Sequence, residues 1–399
     1  MTASSTGHIL VVNCGSSSLK LALVEPSSGA RPWQANAERL GGSGASLSVA
    51  RAGEVRRTQA LDASTHAYAL DVALQQLPDV SLAGVGHRVV HGGEAFHESA
   101  PIEPRTVAAI EACSDLAPLH NPANLAGIAA TLARLPELGQ VAVFDTSFHH
   151  SMPAHAHLYA LPYALYEQRR IRRYGFHGTS HRYVAGRAAQ LLGAPLSALH
   201  LLTAHLGNGV SATAIAGGRS VDTTMGFTPL EGLVMGTRSG DVDPGLHQFL
   251  ATHAGMTLEQ VTDMLMEQSG LLGLSGESND MRNLLELVGQ GHARAQLAVE
   301  VFCYRLARGL MGLCAALPAL DALVFTGGIG ENAAHVRERT VAQLALLGAE
   351  LDAERNAAHG AHTEGTISSQ RSRVRVLVIA TNEELEIARE TARVLAGRA

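Results

Sequence analysis

Four short polar segments each close an apolar run in this chain. They are Asn13-Cys14-Gly15-Ser16-Ser17-Ser18 after 9–12, and His205-Leu206-Gly207-Asn208-Gly209 after 199–204. The others are Gly327-Gly328-Ile329-Gly330-Glu331-Asn332 after 321–326, and Thr381-Asn382-Glu383-Glu384 after 373–379. Backbone amides in such turns cradle phosphate oxygens, and ligands of α/β proteins gather near strand ends. One turn of this kind is usually an ordinary hairpin; four of them point to a phosphate-bearing ligand. Among 30 Lys+Arg residues there is one lysine, Lys20, so the other 29 are arginine. An ammonium is a point charge that a guanidinium replaces poorly. With Asn13, Ser16 and Ser18, Lys20 suits a phosphate or carboxylate site better than a solvated hairpin. Arg88, followed by His91-Gly92-Gly93, offers a fork for a carboxylate or a structural ion pair. Arg238, in Met235-Gly236-Thr237-Arg238-Ser239-Gly240-Asp241-Val242-Asp243-Pro244, offers a clamp for a phosphoryl group beside two carboxylates. Asp145 ends an apolar run, where a carboxylate meets a metal or a nucleophile. His177 lies among glycines and hydroxyls in Gly175-Phe176-His177-Gly178-Thr179-Ser180-His181, as a donor or as a buried structural histidine.

The elements that must hold these residues alternate, which predicts an α/β protein. Strands are expected at 9–12 and 19–24, 82–86 before Arg88, 141–144 before Asp145, 199–204, 210–215, 321–326 and 373–379. Residues 27–60 read as edge strands and loops. Helices are expected at 64–77, 104–115, 122–135, 181–192, 257–268, 291–316, from the Gly327–Asn332 turn to about 346, and from 384 to 395. The strand–glycine turn–strand pattern of 9–24 recurs at 199–215, which suggests an internal duplication. The stretch 217–245 is rich in Gly, Thr, Asp and Pro but is not of low complexity, and a long irregular segment of this kind is usually functional.

Several chemistries are excluded. No GxxxxGK[ST] loop, no GxGxxG opening a β–α unit, no protein-kinase signature and no GxSxG elbow is present. His149-His150 with His155 and His157 lacks a third-ligand pattern for a transition metal. A length of 399 residues suits two domains better than one core. The net charge of −6 is dispersed, and the densest basic cluster, Arg169, Arg170, Arg172 and Arg173, is too short to imply nucleic acid. Four cysteines without a CxxC pair predict reduced thiols in a cytoplasmic protein. No leader pattern and no run of 18 apolar residues is seen, so no membrane association is expected.

The segment Asn13-Cys14-Gly15-Ser16-Ser17-Ser18-Leu19-Lys20 resembles the opening signature of the acetate/propionate kinase family. Arg172-Arg173-Tyr174-Gly175-Phe176-His177-Gly178-Thr179-Ser180-His181 resembles its second signature. His205–Gly209, Met235–Pro244, Gly327–Asn332 and Thr381–Glu384 resemble further family motifs in the family's order, so the resemblance covers essentially the whole chain. It implies the actin-like, sugar-kinase-like ATPase superfamily, with two duplicated ribonuclease-H-like domains around a nucleotide cleft. The first would span 1–148, with 383–399 returning to it, and the second 149–382. It implies a homodimer that reversibly transfers phosphoryl from ATP to acetate, giving acetyl phosphate and ADP. Mg²⁺ is the implied metal, with Mn²⁺ as a substitute. On these positions Arg88 would bind the substrate carboxylate and Asp145 would be the acidic residue near the substrate. His177 and Arg238 would stabilise the transferring phosphoryl, and Asn13 and Glu383 would position the metal. Lys20, His205, Leu206, Gly207, Asn208, Gly209, Asp280, Met281, Arg282, Gly328, Ile329, Gly330, Glu331 and Asn332 would meet the nucleotide. Direct in-line transfer is expected, because an ionised carboxylate needs no strong base. The chain departs from the family at Ala380, at His150-Ser151 and at Gly276-Glu277-Ser278-Asn279. Propionate as acceptor, or a nucleotide-binding protein without catalysis, are the alternatives.

Overall fold

Ile9-Leu10-Val11-Val12 and Leu21–Val24 are apolar on both faces of the pleat, which suits central strands covered on both sides. In the computed structural model, which describes residues 7–118 and 120–397, they pair as an antiparallel hairpin. The strands are β1 (His8–Cys14) and β2 (Ser18–Val24), in a register that sets Asn13 opposite Lys20. The described chain divides into two compact units, one running to His150 and resuming at Asn382, the other Ser151–Thr381.

The first unit adds β3 (Trp33–Glu38), β4 (Ser46–Arg51), β5 (Arg57–Ala60), β6 (Leu82–Val89), β7 (Ala100–Pro101) and β8 (Gln140–Phe144). Its sheet order is β5-β4-β3-β2-β1-β6-β8-β7. The second unit has β9 (His200–Leu206), β10 (Val210–Ala216), β11 (Arg219–Thr223), β12 (Ala322–Thr326) and β13 (Arg375–Val378), in the order β11-β10-β9-β12-β13. In each unit three strands meander antiparallel and two more add in parallel to the first of them. β3-β2-β1-β6-β8 and β11-β10-β9-β12-β13 are therefore the same ribonuclease-H-like topology built twice. The repeat of strand, glycine turn and strand in the sequence is the first hairpin of each copy.

Two helices fix the first unit's parallel strand ends. On the helix Asn121–Arg134, Asn124 accepts from Val90 N at 3.0 Å and donates to the Cys14 carbonyl at 2.7 Å. One buried amide thus bridges the ends of β1 and β6, next to Asn13 and Arg88. Asn124→Ala leaves both backbone groups buried without that partner. It should lower stability by about 1–3 kcal/mol, read as a shift in the denaturation midpoint; an unchanged midpoint would refute the bridge. The helix Glu383–Ala396 lies close on β6 because Gly86 carries no side chain: a Cβ there would stand 2.9 Å from Ile387 Cγ2. Asn382 caps this helix by accepting from Leu385 N at 3.1 Å, and Glu383 is its first residue.

Several local expectations change. β6 runs to Val89, so Arg88 lies inside the strand, opposite Val143 of β8, instead of after it. His205 and Leu206 belong to β9, which leaves Gly207–Gly209 as the turn. Gly327–Asn332 is not a turn but a short helix, entered through Gly327 at φ +76°, a left-handed conformation that glycine adopts without strain. Part of 217–245 is the strand β11, and helices not expected from the sequence cover Gly245–Ala254, Gly270–Ser275 and Met281–Gly289. No helix among the described residues is long and apolar enough to cross a membrane.

Candidate active site

Asn13, Arg88 and Asp145 sit at the same ends of the neighbouring parallel strands β1, β6 and β8. The Arg88 fork is already engaged. Its Nε donates to both Asp145 oxygens at 3.1 Å, and its Nη2 donates to Oδ2 at 2.6 Å. Nη1 points the other way, towards Asn13 Oδ1 at 3.4 Å. Asp145 is buried (1% exposed) while Arg88 stays 24% exposed, so the pair fixes a guanidinium whose outer edge remains open. The charge of Asp145, opposed by burial and helped by the charge of Glu383, holds the Arg88 guanidinium above its already high value. Glu383, entering from the end of the chain, therefore shares the electrostatic neighbourhood of Arg88. Lys20 is exposed and shares a face of the sheet with Asn13, its cross-strand partner.

The second unit brings His177, Gly209 and Arg238 together. His177 precedes the helix Gly178–Leu192 with φ +59°, and its ring stacks on His205 with centroids 4.3 Å apart. A Cβ on Gly209 would stand 3.2 Å from His177 Nε2 and 3.6 Å from Arg238 Nη1. A side chain on Gly209 would therefore crowd the His177 ring and touch the Arg238 guanidinium. Arg238 donates to the Pro229 carbonyl at 3.3 Å and makes no ion pair among the described residues. Burial pulls its pKa down, against the charge of Glu267. A half-buried guanidinium without a counter-ion is a ready site for an anion.

Next to that turn is a cavity of about 680 Å³, of a size that suits a nucleotide-sized ligand. Gly207, Asn208, Asp280, Met281, Arg282, Gly328, Ile329 and Asn332 line it, so eight residues expected at a nucleotide converge there. Asn279, Leu285 and Ala333 also line it and were not foreseen. Asp280 caps the helix Met281–Gly289 by accepting from Arg282 N at 2.9 Å, and it also holds the Arg282 side chain through Nη2 at 2.6 Å. The walls combine apolar Met281, Leu285 and Ile329 with amides and an arginine, a mixture that suits a flat heterocycle with polar edges.

His205, Leu206, Gly209, Gly330 and Glu331 do not line the cavity. His205 Nδ1 lies 2.8 Å from Ser180 Oγ, and Ser180 Oγ lies 2.8 Å from Thr381 Oγ1. Glu331 Oε1 accepts from Gly327 N at 2.9 Å and Thr381 N at 3.1 Å, tying the ends of β12 and β13 together. Ser211, which meets both His177 and His181, and Thr203, which meets His181 from the other side, were missed by the sequence reading. Their only signal is the placing of hydroxyls in the otherwise apolar strands β9 and β10.

Asn13 and Glu383 present oxygen donors, and no group of three or more His, Cys, Asp or Glu among the described residues forms a metal cage. That donor set fits a hard cation that takes its remaining ligands from water and phosphate, as magnesium does.

Comparison with known proteins yields a family whose description is the Acetokinase family, matched over residues 8–389. A protein of Deinococcus deserti named acetate kinase is 54% identical over 394 residues, spanning 98% of each chain. The crystal structure of Porphyromonas gingivalis acetate kinase is similar with a TM-score of 0.92 at 40% identity, covering 98% of this chain and 100% of that one. A propionate kinase structure from Francisella tularensis is similar with a TM-score of 0.90 at 42% identity, covering 96% and 98%.

Proposed function

We propose that this chain, which belongs to the Acetokinase family, moves the terminal phosphoryl of ATP onto the carboxylate of acetate, reversibly, giving ADP and acetyl phosphate. The observation that carries this reading is Arg238, a half-buried guanidinium without an ion-pair partner, set beside His177 at Gly209. The reaction needs two anions to meet. An acetate oxygen attacks the terminal phosphorus, and the bridging oxygen leaves with ADP. Acetate is ionised at neutral pH, so positioning and charge stabilisation supply most of the rate.

Arg238 and His177 donate to the equatorial oxygens of the phosphoryl group. Arg88 meets the acetate carboxylate through its Nη1 edge, because Nε and Nη2 are held by Asp145. Asp145 then acts by fixing Arg88. Asn13 and Glu383 would hold a magnesium ion, and Lys20 would face the phosphate chain. A divalent cation held there would supply neutralisation of phosphate charge. The cavity around Asp280–Arg282 and Gly328–Asn332 takes the nucleoside. The protein works as a homodimer; support comes from the helix Gly245–Ala254, which buries no residue and leaves Leu246 and Phe249 41% and 58% exposed.

A hydroxylamine trap for acyl phosphate, run with ATP and Mg²⁺, should give acetyl hydroxamate. No product with acetate, propionate or butyrate would overturn the reading. One methylene in an apolar pocket changes discrimination by about 1–3 kcal/mol. A kcat/KM for propionate above that for acetate would therefore reassign the acceptor without touching the chemistry.

A further inference from the structure

The segment 224–232 leaves β11 without regular secondary structure, yet it reaches both groups that the proposed reaction sets at the phosphoryl. On one side the Gly226 carbonyl accepts from Tyr174 N at 3.1 Å and Gly175 N at 3.2 Å, just ahead of His177. On the other side the Pro229 carbonyl accepts from Arg238 Nη1 at 3.3 Å, and this is the Arg238 nitrogen beside Gly209. Gly232 then exchanges two bonds with Asp241, its N–H donating to Oδ1 at 2.7 Å and its carbonyl accepting from the Asp241 N–H at 2.9 Å. These close the loop that carries Arg238. The segment is therefore a strap between the backbone that presents His177 and the loop that presents Arg238.

One carboxylate pins this strap. Glu231 Oε1 accepts from Arg173 Nη2 at 2.6 Å, and its Oε2 accepts from the Tyr159 hydroxyl. Both partners reach the strap a second time. Arg173 Nη1 donates to the Thr224 and Met225 carbonyls at 3.0 and 3.3 Å, and Phe227 N donates to the Tyr159 oxygen at 2.7 Å. Burial, reinforced by the charge of Glu231, pushes the Tyr159 phenol above its ordinary value, so the hydroxyl keeps the proton it donates. A Cβ on Gly226 would collide with the Glu231 carboxylate and the Tyr159 oxygen, so the carboxylate lies directly against the backbone of the strap. Arg173 and Glu231 are 20% and 29% exposed, and solvent screens such a pair. Its main effect is thus on where the Gly226 and Pro229 carbonyls stand, more than on stability.

We propose that Glu231, pinned by Arg173 and Tyr159, is a positioning residue that holds the 224–232 strap so that His177 and Arg238 keep one fixed spacing about the transferring phosphoryl. The inference rests on the phosphoryl-transfer reading above. Glu231 acts through the Gly226 and Pro229 carbonyls and not on the substrate. Donors aimed at developing charge lose their effect when displaced, and about 1 Å is worth about 10²-fold in rate.

The test is a double-substitution cycle in the full-length enzyme, using Glu231→Gln, Tyr159→Phe and Arg238→Ala, with rates from the hydroxamate trap. Each rate is read well below that variant's own thermal midpoint, so that unfolding does not enter. Glu231→Gln keeps the side-chain shape but turns an amide N–H₂ towards one of two donors. It should lower kcat about tenfold while KM for ATP moves by less than about twofold, since other residues line the nucleotide cavity. Tyr159→Phe should lower kcat in the same way. In an Arg238→Ala background Glu231→Gln should cost less than about threefold, because one of the two groups it spaces is gone. Wild-type kcat in Glu231→Gln, an effect on KM alone, or equal losses in both backgrounds would overturn the positioning role. An ion pair that serves stability alone lowers the thermal midpoint and shows no coupling to Arg238. If Glu231→Gln fails to fold, Tyr159→Phe carries the cycle with the same expected outcomes. An unsubstituted enzyme that makes no acetyl hydroxamate overturns the functional reading, and the positioning role with it. An active enzyme with multiplicative losses overturns the positioning role alone.

Discussion

Arg238→Ala should turn over acetate and ATP about 10²–10³-fold more slowly, by analogy with removal of one transition-state donor elsewhere. The loss should fall on kcat, with KM for acetate little changed. The reason is where Arg238 sits. Its guanidinium is half-buried beside Gly209 and His177 and has no ion pair among the described residues. A positive charge kept partly out of water without a partner is destabilising on its own, so the fold tolerates it for an interaction that arrives with the substrate. The negative charge on the equatorial oxygens meets this group most fully in the transition state. Arg238→Lys should recover little, because the ammonium cannot hold the Pro229 carbonyl and a phosphoryl oxygen with one planar group. Steady-state rates by the hydroxamate trap decide it, and an Arg238→Ala enzyme with wild-type kcat would remove Arg238 from the chemistry. The thermal midpoint should rise or stay level in Arg238→Ala, since an uncompensated buried charge is removed.

The duplicated topology was legible because each hairpin announces itself locally: an apolar run, then a glycine turn, then a second run. Ile9–Val24 and Leu199–Ile215 need no distant partner to be recognised. The cavity residues were legible as motifs for a similar reason, since Gly207-Asn208 and Gly328-Ile329 each lie in one short segment. Boundaries failed where pairing overrode local signals. Arg88 reads as lying past a strand end, but β8 continues far enough to pair with it and draws it into β6. The helix Met281–Gly289 carries apolar residues at 281, 284 and 285, a helical spacing, yet the Asn279-Asp280 pair ahead of it reads as loop when it is a cap. Contacts between distant residues were not legible at all. Nothing local says that the Arg88 fork is filled by a carboxylate 57 residues later, or that Ser211 joins His177 to His181. Those pairings follow from strand order, and strand order is a property of the folded sheet.

That hidden pairing carries the second large effect. Asp145→Ala should cut kcat about 100-fold, the scale of a misplacement of about 1 Å in a reacting group. Asp145 holds two of the three guanidinium nitrogens of Arg88 and leaves Nη1 directed towards Asn13. Without the carboxylate, the fork is free to take acetate through Nε and Nη2 instead. Acetate would then bind about as well but be rotated away from the line of transfer, so KM should stay level or fall while kcat drops. A structural role alone would not produce that split. Stability should fall as well. Breaking a fully buried pair costs about 3–5 kcal/mol, and because Arg88 is 24% exposed, solvent screening reduces this to about 1–2 kcal/mol. Asp145→Glu restores the charge but pushes Arg88 outward by one methylene, so it should recover the thermal midpoint more fully than kcat. An Asp145→Ala enzyme whose KM for acetate rises while kcat holds would place Asp145 on the substrate itself and not behind Arg88.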